Sequence, residues 1–383
     1  MNRRHFLASL SAALMLAFGG TSHAQAQTVT IGVSVSSTGP AASLGIAQKN
    51  TIELLPKTLG GLPVNYVVLD DASDPTAAGK NARRFADADK VDAIIGSTTV
   101  PTSLAVAEVA GEAKIPQIAL APFPPKQIQW VFPLPHGVGV MSAALFEEMK
   151  KRDTKTIAFI GFSDAYGEAW LKDVEKRAEA SGIKLVAVER YNRTDTSVSG
   201  QVLKLVAARP DAVMIAGSGT PAALPHTTLF ERGYKGQIYQ THAAANKEFL
   251  KVGGKAVEGG ILPIGPVAVA SQLPDSHPSK KPALEYIKLY EAKYGAGSVS
   301  SFGAYAFDAY KLIEKAVPAA LKAGKPGTAA FRKGLRDAIE TEREVAGAHG
   351  VFNMSANDHF GLDDRARVLV RVQGGDWKMI SGK

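Results

Sequence analysis

The sequence predicts an α/β protein made of two doubly wound, parallel-sheet lobes. Three observations carry that prediction. Strand-like and helix-like segments alternate after residue 27, the alternation restarts near Thr154, and 383 residues exceed one ordinary domain.

In the first set, "TVTIGVSVS" from Thr28 alternates β-branched and small residues and reads as a strand. "SLGIAQKNTIELLPKTLG" has helical apolar spacing up to the stop at Gly60, and "VNYVVLDD" is a second strand. "DPTAAGKNARRFADADK" is a helix with Asp74 as N-cap and Pro75 in its first turn. "VDAIIGS" is a third strand, "TTVPTSLAVAEVA" a helix, and "PQIALAP" a fourth strand. Four strand–helix units in this order imply a parallel sheet covered on both faces.

The second set follows the same logic. "TKTIAFIGF", "IKLVAVERY", "DAVMIAGSG" and "GQIYQTH" are strands, with helices in "AYGEAWLKDVEKRAEASG" and "VSGQVLKLVAARP" between them. Beyond "GGILPIGPV" come three helical segments, "KPALEYIKLYEAKYG", "SFGAYAFDAYKLIEKAVPAALKAG" and "GTAAFRKGLRDAIETE". They lack strands for a third sheet and should pack on a lobe already built. "ARVLVRVQGGDWKMI" reads as a hairpin turning at Gly374-Gly375.

Ahead of these elements, "MNRRHFLASLSAALMLAFGG" has a basic start, an apolar run from Phe6 to Phe18, and small residues at A-x-A spacing in "TSHAQAQ". This is the pattern of a secretory signal peptide over residues 1–26. Arg3-Arg4 followed by His5-Phe6-Leu7 also resembles a twin-arginine export signal. The sequence holds no cysteine, so thiolate nucleophiles, disulfides and cysteine-ligated metals are excluded together. An exported product without disulfides or anchor is expected in a bacterial periplasm.

Removing Arg3 and Arg4 lowers the net charge from +8 to +6, and the remaining basic residues are scattered. Nucleic-acid binding, which wants a clustered basic stripe, is not expected. No phosphate-loop or dinucleotide glycine motif occurs, and no G-x-S-x-G elbow. The eight histidines are dispersed and no His-Glu-x-x-His occurs. No enzyme activity, cofactor or metal is expected.

One loop stands out. In "IIGSTTVPTSLAVAEVA", Ser97, Thr98 and Thr99 lie between a strand end and a helix start. Hydroxyls here could cap the helix, or could join its N-terminal N–H groups in holding a carboxylate. Both readings stay open, since one hydroxyl can cap while another faces a ligand. Ligands of α/β sheets gather at the carboxyl ends of strands, where this loop lies.

Five segments, "IGVSVSSTGPAASLG", "VVLDDASDPTAA", "IIGSTTVPTSLAVAEVAGEAKIPQIALAP", "IAFIGFSDAYGEAW" and "SFGAYAFDAYKLIEKAV", resemble in their order one family. It is the periplasmic solute-binding proteins of ABC importers, of the leucine/isoleucine/valine-binding, type I kind. The resemblance implies a clamshell of two lobes joined by three crossover strands. It places residues 28–136 with 266–344 in one lobe, and 137–265 with 345–383 in the other. It also implies a monomer that closes on a small molecule and presents it to a membrane permease.

Carried over by position, Ser97 and Thr98 match the loop that holds a ligand carboxylate, with Thr99 beside them. Ala119 and Ala121 match a second backbone loop. Tyr166 matches an aromatic reaching from the other lobe, although helix-start packing explains it equally well. Ser218 and Gly219 occupy a further cleft loop. Two departures bear on the ligand. Where amino-acid binders place an acidic residue for the ligand ammonium, this chain has "THAAAN" with His242, and where the family often has an aromatic it has Leu44. A buried ammonium without a partner is costly. The expected ligand is therefore an aromatic or short aliphatic acid lacking an α-amino group, with His242 donating to it or bonding backbone instead. A branched-chain amino acid is the alternative, with Glu248 as its acidic partner under a shifted alignment. A ligand-sensing receptor domain docking to a membrane sensor is a second alternative.

Overall fold

The computed structural model describes residues 27–124 and 128–382, so the leader read at residues 1–26 lies outside the described residues. The first sheet contains β1 (Val29–Val35), β2 (Thr58–Leu59), β3 (Leu62–Asp70), β4 (Ala93–Gly96), β5 (Gln117–Ala119) and β6 (Val131–Pro133). Its order is β2-β3-β1-β4-β5-β6, parallel except for the β2–β3 hairpin. The connecting helices are α1 (Ala42–Leu54), α2 (Pro75–Asp87) and α3 (Val100–Ala113).

The second lobe repeats the scheme. It runs α4 (Val138–Lys151), β7 (Thr156–Phe162), α5 (Ala165–Ser181), β8 (Lys184–Tyr191), α6 (Ser199–Ala207) and β9 (Ala212–Ala216). It continues through α7 (Ala223–Glu231), β10 (Gln237–Gln240), α8 (Lys247–Gly253) and β11 (Ile261–Ile264). After α9 (Lys280–Tyr294), α10 (Ser301–Ala323) and α11 (Ala329–Glu340) come the short β12 (Val345–Ala346) and β13 (Val351–Phe352), which pair with each other. The chain ends on β14 (Val368–Gln373) and β15 (Asp376–Gly382), antiparallel additions that give the order β15-β14-β11-β10-β9-β7-β8. Their turn uses Gly374 and Gly375, both at positive φ, as a two-residue hairpin requires.

In each lobe the first strand lies between the second and third long strands, so the winding reverses beside β1 and β4 in one sheet and β7 and β9 in the other. Reversal opens a crevice at the strand ends, because the helices that follow go to opposite faces. Both crevices face the gap between the lobes.

The late helices pack on the first lobe, as their lack of a sheet predicted. α10 lies against α1 and α11, and Thr51 Oγ1 meets Tyr286 Oη at 3.0 Å. Asp74 caps α2 by accepting the Ala77 N–H at 2.7 Å. The first helix, read through to Gly60, stops at Leu54. Leu55 precedes Pro56 and is extended at ψ 150°, as a residue before proline prefers, and Thr58 turns the chain back into β2. Helices α4, α7 and α8 and the three-residue β6 were not anticipated from the sequence. β6 is too short to show any alternation.

The chain passes between the lobes before α4, after β11, and between α11 and β14. Two of these passages are tied together by buried histidines. His136 bonds through Nδ1 to Tyr305 Oη at 3.0 Å and through Nε2 to the His349 carbonyl at 3.1 Å, and Tyr305 stacks on the His349 ring at 3.7 Å. Asp308 accepts the N–H groups of Ala348 and His349 at 2.7 and 3.0 Å.

Burial sets a pH dependence. It pushes His136 down to about 4, His226 and His242 to about 3, and His349 well below the usual imidazole range. These groups take protons in the unfolded chain near pH 6.5 but not in the folded one, so their stabilisation is lost as pH falls from 6.5 toward the folded values. Asp308 and Glu342 act oppositely. Burial raises them to about 7 and about 8, and their contribution is lost as pH rises through those values. Between pH 6 and 4.5 these histidines, with His277 also pushed down by burial, outnumber the carboxylates that burial raises, Asp92, Asp308 and Glu342. The melting temperature is expected to peak near neutrality and fall on acidification. A melting temperature that rises from pH 6.5 to 4.5 would contradict this.

Candidate functional site

Each lobe plants one side chain in the gap by the same device. α1 begins after β1 and brings Leu44 forward; α5 begins after β7 and brings Tyr166 forward. The next residue in both cases is a glycine pressed on the strand end. A Cβ on Gly45 would lie 2.0 Å from the Ser36 carbonyl oxygen, and one on Gly167 would lie 1.9 Å from that of Phe162. Only glycine allows so close an approach.

Between the lobes lies a small, tight cavity of about 30 Å³. Of the residues expected from the sequence, Leu44, Thr98, Thr99, Ala121, Tyr166, Ser218 and His242 line it. Three do not. Ser97 is fully buried, and its Oγ donates to Asp71 Oδ2 at 2.5 Å. Ala119 is buried as the last residue of β5. Gly219 packs at the edge, where a Cβ would meet Leu44 Cδ1 at 2.8 Å and Ser43 Oγ at 2.9 Å across the gap. The lobes are thus in contact there.

The hydroxyl loop is held from behind. Asp71, fully buried, accepts from the hydroxyls of Ser34 (2.9 Å), Ser36 (2.6 Å) and Ser97, and from the Ser73 N–H at 3.1 Å. One carboxylate therefore ties together the loops after β1, β3 and β4. Thr98 Oγ1 donates to Gln48 Oε1 at 2.6 Å and accepts the Ser36 N–H at 2.8 Å. Thr99 is the helix cap, forming a reciprocal box with Thr102. With Pro101 next in the first turn, the Val100 N–H is the donor there that the helix itself leaves open.

On the other side, Tyr166 Oη donates to Thr241 Oγ1 at 2.8 Å, so the residue both packs at its helix start and faces the cavity. Burial raises its phenol further above the ordinary range. His242 is 4% exposed, and its Nδ1 has no partner among the described residues. Nδ1 makes no bond to backbone among the described residues. Burial, reinforced by His136, keeps its ring uncharged at neutral pH. Glu248 is exposed on α8 and does not line the cavity.

Sequence reasoning missed Arg193, Phe302 and Tyr305, all of which line the cavity. Arg193 follows β8 in "RYNRTDTS", one of many scattered basic residues, and only its place just past a strand end marked it. Its Nε donates to Asp164 Oδ2 at 2.6 Å and one terminal nitrogen to Ser218 Oγ at 2.7 Å, while the guanidinium lies 4.2 Å over the Phe162 ring. Asp164 also caps α5, accepting the Tyr166 and Gly167 N–H groups. Phe302 and Tyr305 come from the first turns of α10, a helix read from the sequence only as packing.

Two lobes wound in the same order, with their reversal points facing across a side-chain-lined gap, define a two-lobe ligand-binding clamshell. The family model for periplasmic binding proteins matches residues 28–376, and the chain belongs to that family. It is similar to a Leu/Ile/Val-binding protein homolog of Brucella suis, 27% identical over 279 residues, covering 69% of this chain and 73% of the relative. Among solved structures, an extracellular ligand-binding receptor from Rhodopseudomonas palustris is 48% identical with a TM-score of 0.91, covering 93% of this chain and all of that one. A leucine binding protein from Thermotoga maritima is 25% identical with a TM-score of 0.79, covering 92% and 98%. The type I clamshell expected from the sequence is the fold observed.

Proposed function

We propose that this protein is the periplasmic substrate-binding component of an ABC importer. It captures a small carboxylate, an aromatic or short aliphatic acid without an α-amino group, and delivers it to an inner-membrane permease. The observation that carries this reading is the charge of the cavity lining: its one charged side chain among the described residues is the cation Arg193. An α-ammonium would find there an arginine and an uncharged histidine, and no carboxylate to offset its desolvation. The apolar remainder, including Leu44, Phe302 and Tyr305, suits a hydrocarbon or ring. The signal-like residues 1–26 support export to the periplasm, where a monomer would close about the three interlobe passages.

A branched-chain amino acid is the second reading, favoured by the names of the Leu/Ile/Val-binding and leucine-binding relatives. A thermal-shift screen separates the two, because a ligand bound only by the folded state raises the melting temperature. Benzoate-like or short aliphatic acids are expected to stabilise the protein. Strong stabilisation by leucine or valine, with none by the acids, would establish the second reading instead.

A further inference from the structure

We infer that the ligand's carboxylate is received by Arg193 of the second lobe, and not by the hydroxyl loop of the first. The assignment rests on the carboxylate reading above and adds an orientation to it. A carboxylate accepts and cannot donate, so it needs hydrogens that are still free. In the first lobe the side-chain hydroxyl hydrogens are engaged, and the Val100 N–H is the donor of that loop left open. Ser97 gives its own to Asp71 at 2.5 Å, Thr98 to Gln48 at 2.6 Å, and Thr99 shares one with Thr102 at 2.8 Å. A ligand anion placed at Ser97 would also approach the buried carboxylate of Asp71.

Arg193 offers the reverse. A guanidinium carries five N–H donors. Here Nε serves Asp164, one terminal nitrogen serves Ser218, and the other has no protein acceptor among the described residues. The side chain is 15% exposed, which strengthens any charge pairing it makes. Phe162 beneath it fixes its plane, and Asp164 holds it by Nε. Asp164 sits at the N-terminus of α5, where the helix dipole offsets part of its charge and leaves the guanidinium net attractive to an anion. Ser218, accepting from Arg193, keeps its own hydrogen to donate beside it. The hydrocarbon end of the ligand then points to Leu44 and Phe302 of the first lobe.

The test compares acids with their carboxamides, neutral analogues of the same shape: benzoate, 3-phenylpropanoate and 4-methylpentanoate, each titrated beside its amide. Wild type is expected to prefer an acid over its amide at least tenfold. Arg193→Gln should abolish that preference by weakening the acid and sparing the amide, while Arg193→Lys, which keeps the charge, should retain part of it. Thr98→Val should weaken acid and amide alike and leave their ratio intact. The orientation is overturned if Arg193→Gln keeps the wild-type preference or if Thr98→Val loses it. Should wild type bind none of the acids, the carboxylate reading itself falls, and the orientation with it.

Discussion

Gly167→Ala is expected to destabilise the protein by about 1–3 kcal/mol and to weaken ligand binding at least tenfold. The new Cβ would stand 1.9 Å from the Phe162 carbonyl oxygen and 2.7 Å from its carbon, atoms of backbone that cannot swing aside. α5 must therefore lift from the end of β7. Tyr166 and the capping residue Asp164 would move with it, and Arg193 would lose its fixed partner. Both consequences fall on the cavity, so affinity should suffer along with stability. Gly45→Ala should behave alike in the first lobe, with 2.0 Å to the Ser36 oxygen. Gly79→Ala is the control. Its nearest neighbour would be the Ala105 Cβ at 4.0 Å, and alanine favours the helix there by up to about 1 kcal/mol. Denaturant unfolding and titration of the three variants decide the matter. A Gly167→Ala variant with wild-type midpoint and affinity would refute the role given to that contact.

The second large effect is expected at Asp71. Asp71→Ala should cost about 3 kcal/mol or more, because it leaves three buried hydroxyls and one N–H without their acceptor, each at about 1–3 kcal/mol before relaxation. Asp71→Asn keeps the shape and one oxygen and should cost less than half as much. Since Asp71 joins the loops after three strands, its loss should also loosen the wall that carries Thr98 and Thr99. Urea unfolding of both variants measures this. A change within about 0.5 kcal/mol for Asp71→Ala would show that the serine hydroxyls find other partners.

The fold was legible in the sequence because strand and helix periods alternate so regularly, and the capping pair Asp74-Pro75 could be read directly. What escaped was short or non-local. β6 has three residues, and the stop of α1 depended on Pro56 lying within an otherwise helical pattern. The candidate site was half legible. Strand-end position marked the loop of Thr98, and the family resemblance marked Ala121, Tyr166, Ser218 and His242; all five line the gap. The sequence could not show that Ser97 turns away, because its partner Asp71 lies 26 residues earlier and was read only as the end of a strand. Nor could it single out Arg193, whose importance comes from Asp164, Phe162 and Ser218 converging on it from other loops.

The central claim is that the cavity accepts an acid and has no place for an α-ammonium. Calorimetric titration with two matched pairs tests it most directly: 3-phenylpropanoate against phenylalanine, and 4-methylpentanoate against leucine. Within each pair the molecules differ only by the amino group. The account predicts that in at least one pair the acid binds tenfold or more tightly than its amino-acid counterpart. Tighter binding of leucine or phenylalanine than of the matching acid would contradict it.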